Sequence, residues 1–129
     1  SDDDIAWRSG AIAMLRRALD QHPEAAWSYG AYAIEGHVQC AVPWDPDRLR
    51  RSNYISTMSM VRRETFPGFD ETIMRLQDWD LWLQMLAAGH RGVYCDSLVF
   101  TTELRDGITR NGPVDYDEAV RIVRRKHGL

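Results

Sequence analysis

The stretch Gln77-Asp78-Trp79-Asp80-Leu81-Trp82 opens the clearest helix in the sequence, expected to run from Asp78 to Ala88. Asp78 suits the N-cap and Asp80 the first turn, where the positive end of the helix dipole favours carboxylates. Gly89 suits the position just past the last turn. Trp79, Trp82, Leu83 and Leu86 form one stripe, widened by Leu81 and Met85, so one face is expected to be buried, with Trp82 in the core. A carboxylate at a helix N-terminus stays ionised near neutral pH, as a general base must. Asp78 is therefore a candidate base if it faces a cleft, and a plain helix cap if it does not.

Working outward, helices alternate with strand-like segments. Ala11 to Leu19 has apolar residues at 11, 12, 15, 18 and 19 on one helical face, and His22-Pro23 ends it. Ala26 to Ile34 reads as a strand that Glu35-Gly36 turns back into Val38 to Val42. Pro43-Trp44-Asp45-Pro46 breaks the pattern, and Asp47 to Arg51 is a short basic helix at best. Ile55 to Val61 alternates like a strand buried on one face. Phe66-Pro67-Gly68-Phe69-Asp70 reads as a turn with two aromatic anchors. Gly92 to Asp96 and Leu98 to Thr102 are short strands, Arg105 to Pro113 is a polar loop, and Asp115 to His127 is an amphipathic helix with Ala119, Val120 and Val123 inward. The class is α/β.

With 129 residues and 44% apolar content, the chain is one domain, residues 1–129, able to bury a core without disulfide or structural metal. Its net charge of −3 argues against nucleic acid as a partner. The basic cluster Arg121, Arg124, Arg125 and Lys126 is read as complementing a helix C-terminus. Cys40 and Cys95 are far apart and in no CxxC spacing, which fits free thiols in a reducing compartment. No apolar run approaches the roughly 20 residues of a spanning helix. The first residues, Ser1-Asp2-Asp3-Asp4, lead at once into a helix-like segment, from which the chain is expected to be part of a longer protein.

Clustered carboxylates such as Asp2, Asp3 and Asp4 repel one another unless a cation sits among them. An Asp-x-Asp spacing suits Mg²⁺ or Mn²⁺, which binds few protein carboxylates and completes its shell with water and phosphate oxygens. The plainer reading is a solvated acidic segment or a set of helix caps.

Taken together, these segments resemble the second half of the family 2 glycosyltransferases of the GT-A fold. Ser1-Asp2-Asp3-Asp4 with Trp7 and Gly10 resembles the family's Asp-x-Asp motif. Pro23-Glu24-Ala25-Ala26 with Tyr29-Gly30 is similar to the turn and strand that follow it. Asn53-Tyr54-Ile55 through Val61-Arg62-Arg63-Glu64 resembles the Asn-x-Ile and Arg-Arg segment, and Phe66-Pro67-Gly68-Phe69-Asp70-Glu71 the Gly-Phe-Asp-Glu turn. Leu76-Gln77-Asp78-Trp79-Asp80-Leu81-Trp82-Leu83 is similar to the Glu-Asp-x-Asp-Leu-Trp-Leu signature, with Gln77 in place of the usual Glu.

The resemblance implies a partial GT-A, Rossmann-like domain with a mixed sheet and flanking helices, lacking its N-terminal nucleotide-binding half. It implies an inverting enzyme that moves a sugar from a nucleotide-sugar donor to a sugar or lipid-linked acceptor, as in polysaccharide biosynthesis. Asp78 would be the general base. Asp2 and Asp4 would hold the divalent metal, Mg²⁺ or Mn²⁺, although three acids fill a two-acid motif and the choice among them stays open. Asp3, Arg105 and Arg110 would face the donor diphosphate, the arginines standing in for a basic residue and a His that Thr102-Glu103-Leu104 lacks. Trp79, by stacking on a ring, and Asp80 would meet the acceptor. With half of the donor site missing, the chain alone is expected to be inactive and to dimerise through an exposed sheet edge. The location implied is cytoplasmic, peripheral at the inner face of the membrane. The alternative is a glycosyltransferase-like module without catalysis, used for binding or assembly. A metal-dependent phosphohydrolase is disfavoured because His22, His37, His90 and His127 show no ligand spacing.

Overall fold

The computed structural model describes residues 6–39, 41–56, 58–102 and 115–129. Among them the elements run β1 (Ala6–Trp7), α1 (Ala11–Gln21), β2 (Trp27–Ile34), β3 (His37–Gln39), α2 (Pro46–Arg51), β4 (Met60–Val61), α3 (Gln77–Ala87), β5 (Gly92–Thr102) and α4 (Tyr116–Lys126), with one 3₁₀ turn at Arg63–Thr65. The α/β expectation holds: one mixed sheet carries flanking helices.

β2 is the centre of that sheet. It runs parallel to β5, with Trp27 opposite Gly92 and Ile34 opposite Thr102. Its other edge pairs antiparallel with β4 at its start and with β3 near its end. β1 pairs antiparallel with the outer side of β5, Trp7 opposite Phe100. Glu35 (φ 49°) and Gly36 (φ 84°) both lie in the left-handed region, as a type I′ hairpin turn between β2 and β3 requires. β5 is one strand where two were expected. Its register against β2 shifts on both sides of Ala31, so the break at Ser97 is an irregularity and not a strand end. Gly30 permits that close approach, since a Cβ there would collide with Val99 and come within 2.9 Å of the Ser97 carbonyl.

Alternation along β2 sends its side chains to two helical layers. The hydroxyl of buried Ser28 donates to the Leu15 carbonyl of α1 at 2.8 Å. On that face Ala11 and Leu15 pack with Cys95, Val99 and Phe100. Trp27 and Tyr29 point the other way, into a larger core with Leu49, Ile55, Trp79 and Trp82. The Trp27 and Trp82 rings stack at 5.1 Å, and Trp44 meets Trp27 edge-on at 5.2 Å. Each such buried aromatic stabilises the fold by about 2–3 kcal/mol.

α3 buries Trp79, Asp80, Leu81, Trp82, Leu83 and Met85, the predicted face with Asp80 sealed in it and Leu86 only partly buried. It begins at Gln77, with Leu76 at the N-cap position in a left-handed conformation (φ 63°) and no side-chain cap. Asp78 is therefore inside the first turn and not the N-cap. Gly89 (φ 92°) does close the helix as expected.

Other local expectations need correction. Among the described residues of Ile55 to Val61, only Met60–Val61 pairs as a strand. Ser56 explains part of this, since its hydroxyl accepts from the Met58 amide (3.0 Å) and its carbonyl accepts from the Ser59 hydroxyl (2.6 Å). Such local bonds compete with a sheet ladder. Phe66 and Phe69 are exposed and pack edge-on against each other at 5.6 Å, not into the core. Ile12 is also exposed, whereas Ala11, Leu15 and Leu19 carry the inner face of α1. Arg62 closes the end of α1, its guanidinium donating to the carbonyls of Leu19 (2.6 Å) and Ala25 (2.7 Å). Among the described residues no helix is long and apolar enough to cross a membrane.

Candidate active site

The parallel strands β2 and β5 end on the same side of the sheet. Near those ends Tyr32 and Phe100 are register partners, and their rings stack at 5.0 Å with planes 5° apart. In open α/β sheets ligands bind in the crevice outside the carboxyl ends of the strands. Here Tyr32 and Phe100 line such a cleft with Asn53, Tyr54, Ile55, Ser56 and Asp78. A second cleft opens on the other side of Asp78, between it and Phe69, Met74, Arg75, Leu76 and Gln77. Among the described residues Asp78 is the one common to both.

The Asp78 carboxylate is half-buried and held at both oxygens. Oδ1 accepts from the Trp79 amide at 2.9 Å, and Oδ2 accepts from Asn53 Nδ2 at 3.0 Å. Burial raises its pKa above the ordinary carboxylate value, against the lowering effect of those two donors. A raised pKa, two fixed oxygens and a cleft on either side are the properties of a carboxylate able to take a proton from a bound hydroxyl.

Trp79 and Asp80 do not share that exposure. Trp79 is 1% exposed, and its indole N–H donates to the Leu49 carbonyl at 2.7 Å. Asp80 is 0% exposed and is bonded by Lys126 (3.0 Å), His127 (2.7 Å) and Gln84 (2.9 Å). Neither side chain is placed to contact an acceptor, so both acceptor-binding expectations are corrected. The physical reason is helical geometry. Positions 79 and 80 turn into the core and towards α4, while 78 stays at the rim. Lys126 also reaches Asp70 at 2.7 Å, tying the Gly68-Phe69-Asp70 turn to the same cluster.

Asp2, Asp3, Asp4, Arg105 and Arg110 lie outside the described residues. Among the described residues no group of three or more His, Cys, Asp or Glu side chains is arranged to hold a metal ion. A separate cleft between α1 and β5 is lined by Arg17, His22, Cys95 and Asp96, among others. Burial raises the Cys95 pKa, which keeps the thiol protonated, and His22 bonds Glu24 (3.1 Å), so this cleft holds no comparable activated group.

Sequence reasoning missed the part played by Asn53, Tyr32 and Phe100. Asn53 stood within a quoted motif, but nothing local says that it reaches a residue 25 positions away. No protein-family model matches the chain, and no curated protein is similar to it.

Proposed function

We propose that this chain is the acceptor-side part of an inverting, nucleotide-sugar-dependent glycosyltransferase of the GT-A type, with Asp78 as general base. The observation that carries the reading is the Asp78 carboxylate itself. It stands at the start of α3, held at both oxygens, with a raised pKa, where two clefts meet beside the carboxyl ends of β2 and β5.

In the proposed reaction a carboxylate oxygen of Asp78 accepts the proton of an acceptor hydroxyl. The acceptor hydroxyl oxygen bonds to the anomeric carbon from the face opposite the leaving group. The bond from that carbon to the diphosphate oxygen breaks, its electron pair leaves with the nucleoside diphosphate, and the configuration inverts. With Trp79 and Asp80 buried, the acceptor-facing wall passes to Tyr32, Asn53 and Ser56, an aromatic and polar surface suited to a sugar ring.

The donor side of the proposal rests on Asp2 and Asp4 for Mg²⁺ or Mn²⁺, and on Asp3, Arg105 and Arg110 for the diphosphate. Consecutive carboxylates are a fitting donor set for a hard divalent ion. When bound, the metal would neutralise charge on the departing diphosphate. A cytoplasmic, membrane-peripheral enzyme and dimerisation through a sheet edge belong to the same proposal.

The test is Asp78→Asn in the protein that carries the donor half, with transfer and donor binding measured separately. Loss of transfer with donor binding retained is expected. Retained transfer would refute the base role.

A further inference from the structure

Asp78 and Trp82 are four residues apart on α3 and point to one side, since the helix repeats every 3.6 residues. Asn53 and Ile55 are two residues apart in the segment that follows α2. The two pairs meet. Asn53 Nδ2 donates to Asp78 Oδ2 at 3.0 Å, and the Trp82 indole N–H donates to the Ile55 carbonyl at 3.1 Å. Residues 53–55 are therefore held against the first turns of α3 at two points.

The clamp also settles which way the Asn53 amide faces. Asn53 Oδ1 accepts from the Ile55 amide at 3.2 Å, so Nδ2 is the atom left for Asp78. A second constraint comes from Tyr54, whose buried ring has its hydroxyl at 2.8 Å from the Asp45 amide and 3.2 Å from the Asp45 carbonyl. The segment thus holds position from both ends, and Ile55, 1% exposed, seals its apolar side.

We propose that Asn53 is a positioning residue for Asp78. Its amide N–H occupies one lone pair of Oδ2, and the clamp directs the carboxylate into the cleft lined by Tyr32, Ser56 and Phe100. This inference rests on the reading of Asp78 as base. Trp82 assists at a distance, by fixing the position of the segment that carries Asn53. Without Asn53 the carboxylate keeps its burial and loses a donor that favours the charged form, so its proton is held more tightly.

The experiment is a carbon-detected NMR titration of the Asp78 side-chain carboxyl in this 129-residue chain. The variants are Asn53→Leu, which removes the donor at similar volume, and Asn53→Asp, which replaces it with a second carboxylate of the same shape. Both are expected to move the Asp78 midpoint to higher pH, with Asn53→Asp giving two coupled steps. Trp82→Phe, which keeps the amide donor, is expected to move the midpoint less than Asn53→Leu does. Amide spectra establish that each variant is folded. If Asn53→Leu does not fold, Asn53→Asp decides alone. An unmoved midpoint in a folded variant overturns the positioning role and leaves the base reading standing. Transfer by an Asp78→Asn enzyme overturns the base reading and leaves the titration result standing.

Discussion

His127 Nε2 lies 2.7 Å from Oδ1 of Asp80, a carboxylate with no solvent exposure. This contact joins the end of α4 to the first turn of α3, two residues beyond Asp78. Lys126 adds a second bond to Asp80 and one to Asp70, so one cluster holds α4, α3 and the Gly68-Phe69-Asp70 turn together. The helix that carries the candidate base is thus fixed from behind by charge and from the front by Asn53.

Removing Asp80 is expected to unfasten α4. Asp80→Ala leaves Lys126 and His127 without their shared partner and should cost about 3 kcal/mol, as breaking a buried ion pair does. Lys126 keeps Asp70, which holds the loss near the low end of that class. Urea denaturation measures it. A cost below 1 kcal/mol would show that the cluster is incidental to stability.

The same cluster predicts acid sensitivity. Bonds from Lys126 and then from Thr72 hold the Asp70 carboxyl well below the usual carboxylate range. A depressed carboxylate stabilises the fold above its unfolded pKa of about 3.9, and the contribution is lost as pH falls through the folded value. Stability should therefore decline below about pH 4, and Asp70→Asn should flatten that decline. Asp78 has the opposite sign. Its raised pKa makes ionisation oppose folding at neutral pH, an effect relieved as pH falls through the folded value and absent below the unfolded one. Denaturant midpoints between pH 2 and 7 for each variant separate the two.

Gly92→Ala is expected to disrupt the core. A Cβ at Gly92 would come within 2.7 Å of the Trp27 indole, which is itself stacked on Trp82. Neither ring has room to move, so overpacking should cost about 1–3 kcal/mol or more. Thermal unfolding checks this, and an unchanged melting temperature would show that the Trp27 ring is looser than its contacts imply.

Glu35 occupies a left-handed position that its side chain does not favour. Glu35→Asn, in the turn type that prefers Asn-Gly, should stabilise the hairpin by up to about 1 kcal/mol. A loss of stability on this substitution would argue that the β2–β3 turn differs from type I′.

On the proposed reading, transfer should rise with pH through the Asp78 titration and level off above it. The limb should sit higher than for an ordinary carboxylate near 3.9. Asp78→Asn should lower kcat by about 10²–10⁴-fold and remove that limb. A variant that keeps the limb at full amplitude would assign the titration to another group.

Local physics made much of the fold legible in the sequence. The stripe of α1, the hairpin turn at Glu35-Gly36, the α3 helix expected from Asp78 to Ala88 and its Gly89 stop, and the amphipathic α4 follow from periodicity and backbone freedom among near neighbours, although the expected Asp78 cap lies inside the first turn. Asp78 was legible as a candidate base for the same reason, since its place in the first turn of a helix is a local property. What tertiary structure decided involves residues distant in sequence. Burial of Trp79 and Asp80 depends on α2 and α4 closing over α3, with Trp79 bonding Leu49 and Asp80 bonding Lys126 and His127. The pairing of Asn53 with Asp78 depends on a distant chain segment held against the helix at two points. The joining of Gly92 to Asp96 with Leu98 to Thr102 into one strand depends on β2 tolerating the irregularity at Gly30. A sequence pattern reports which side of an element is apolar, and only packing determines which polar group is sealed and which is left at the rim of a cleft.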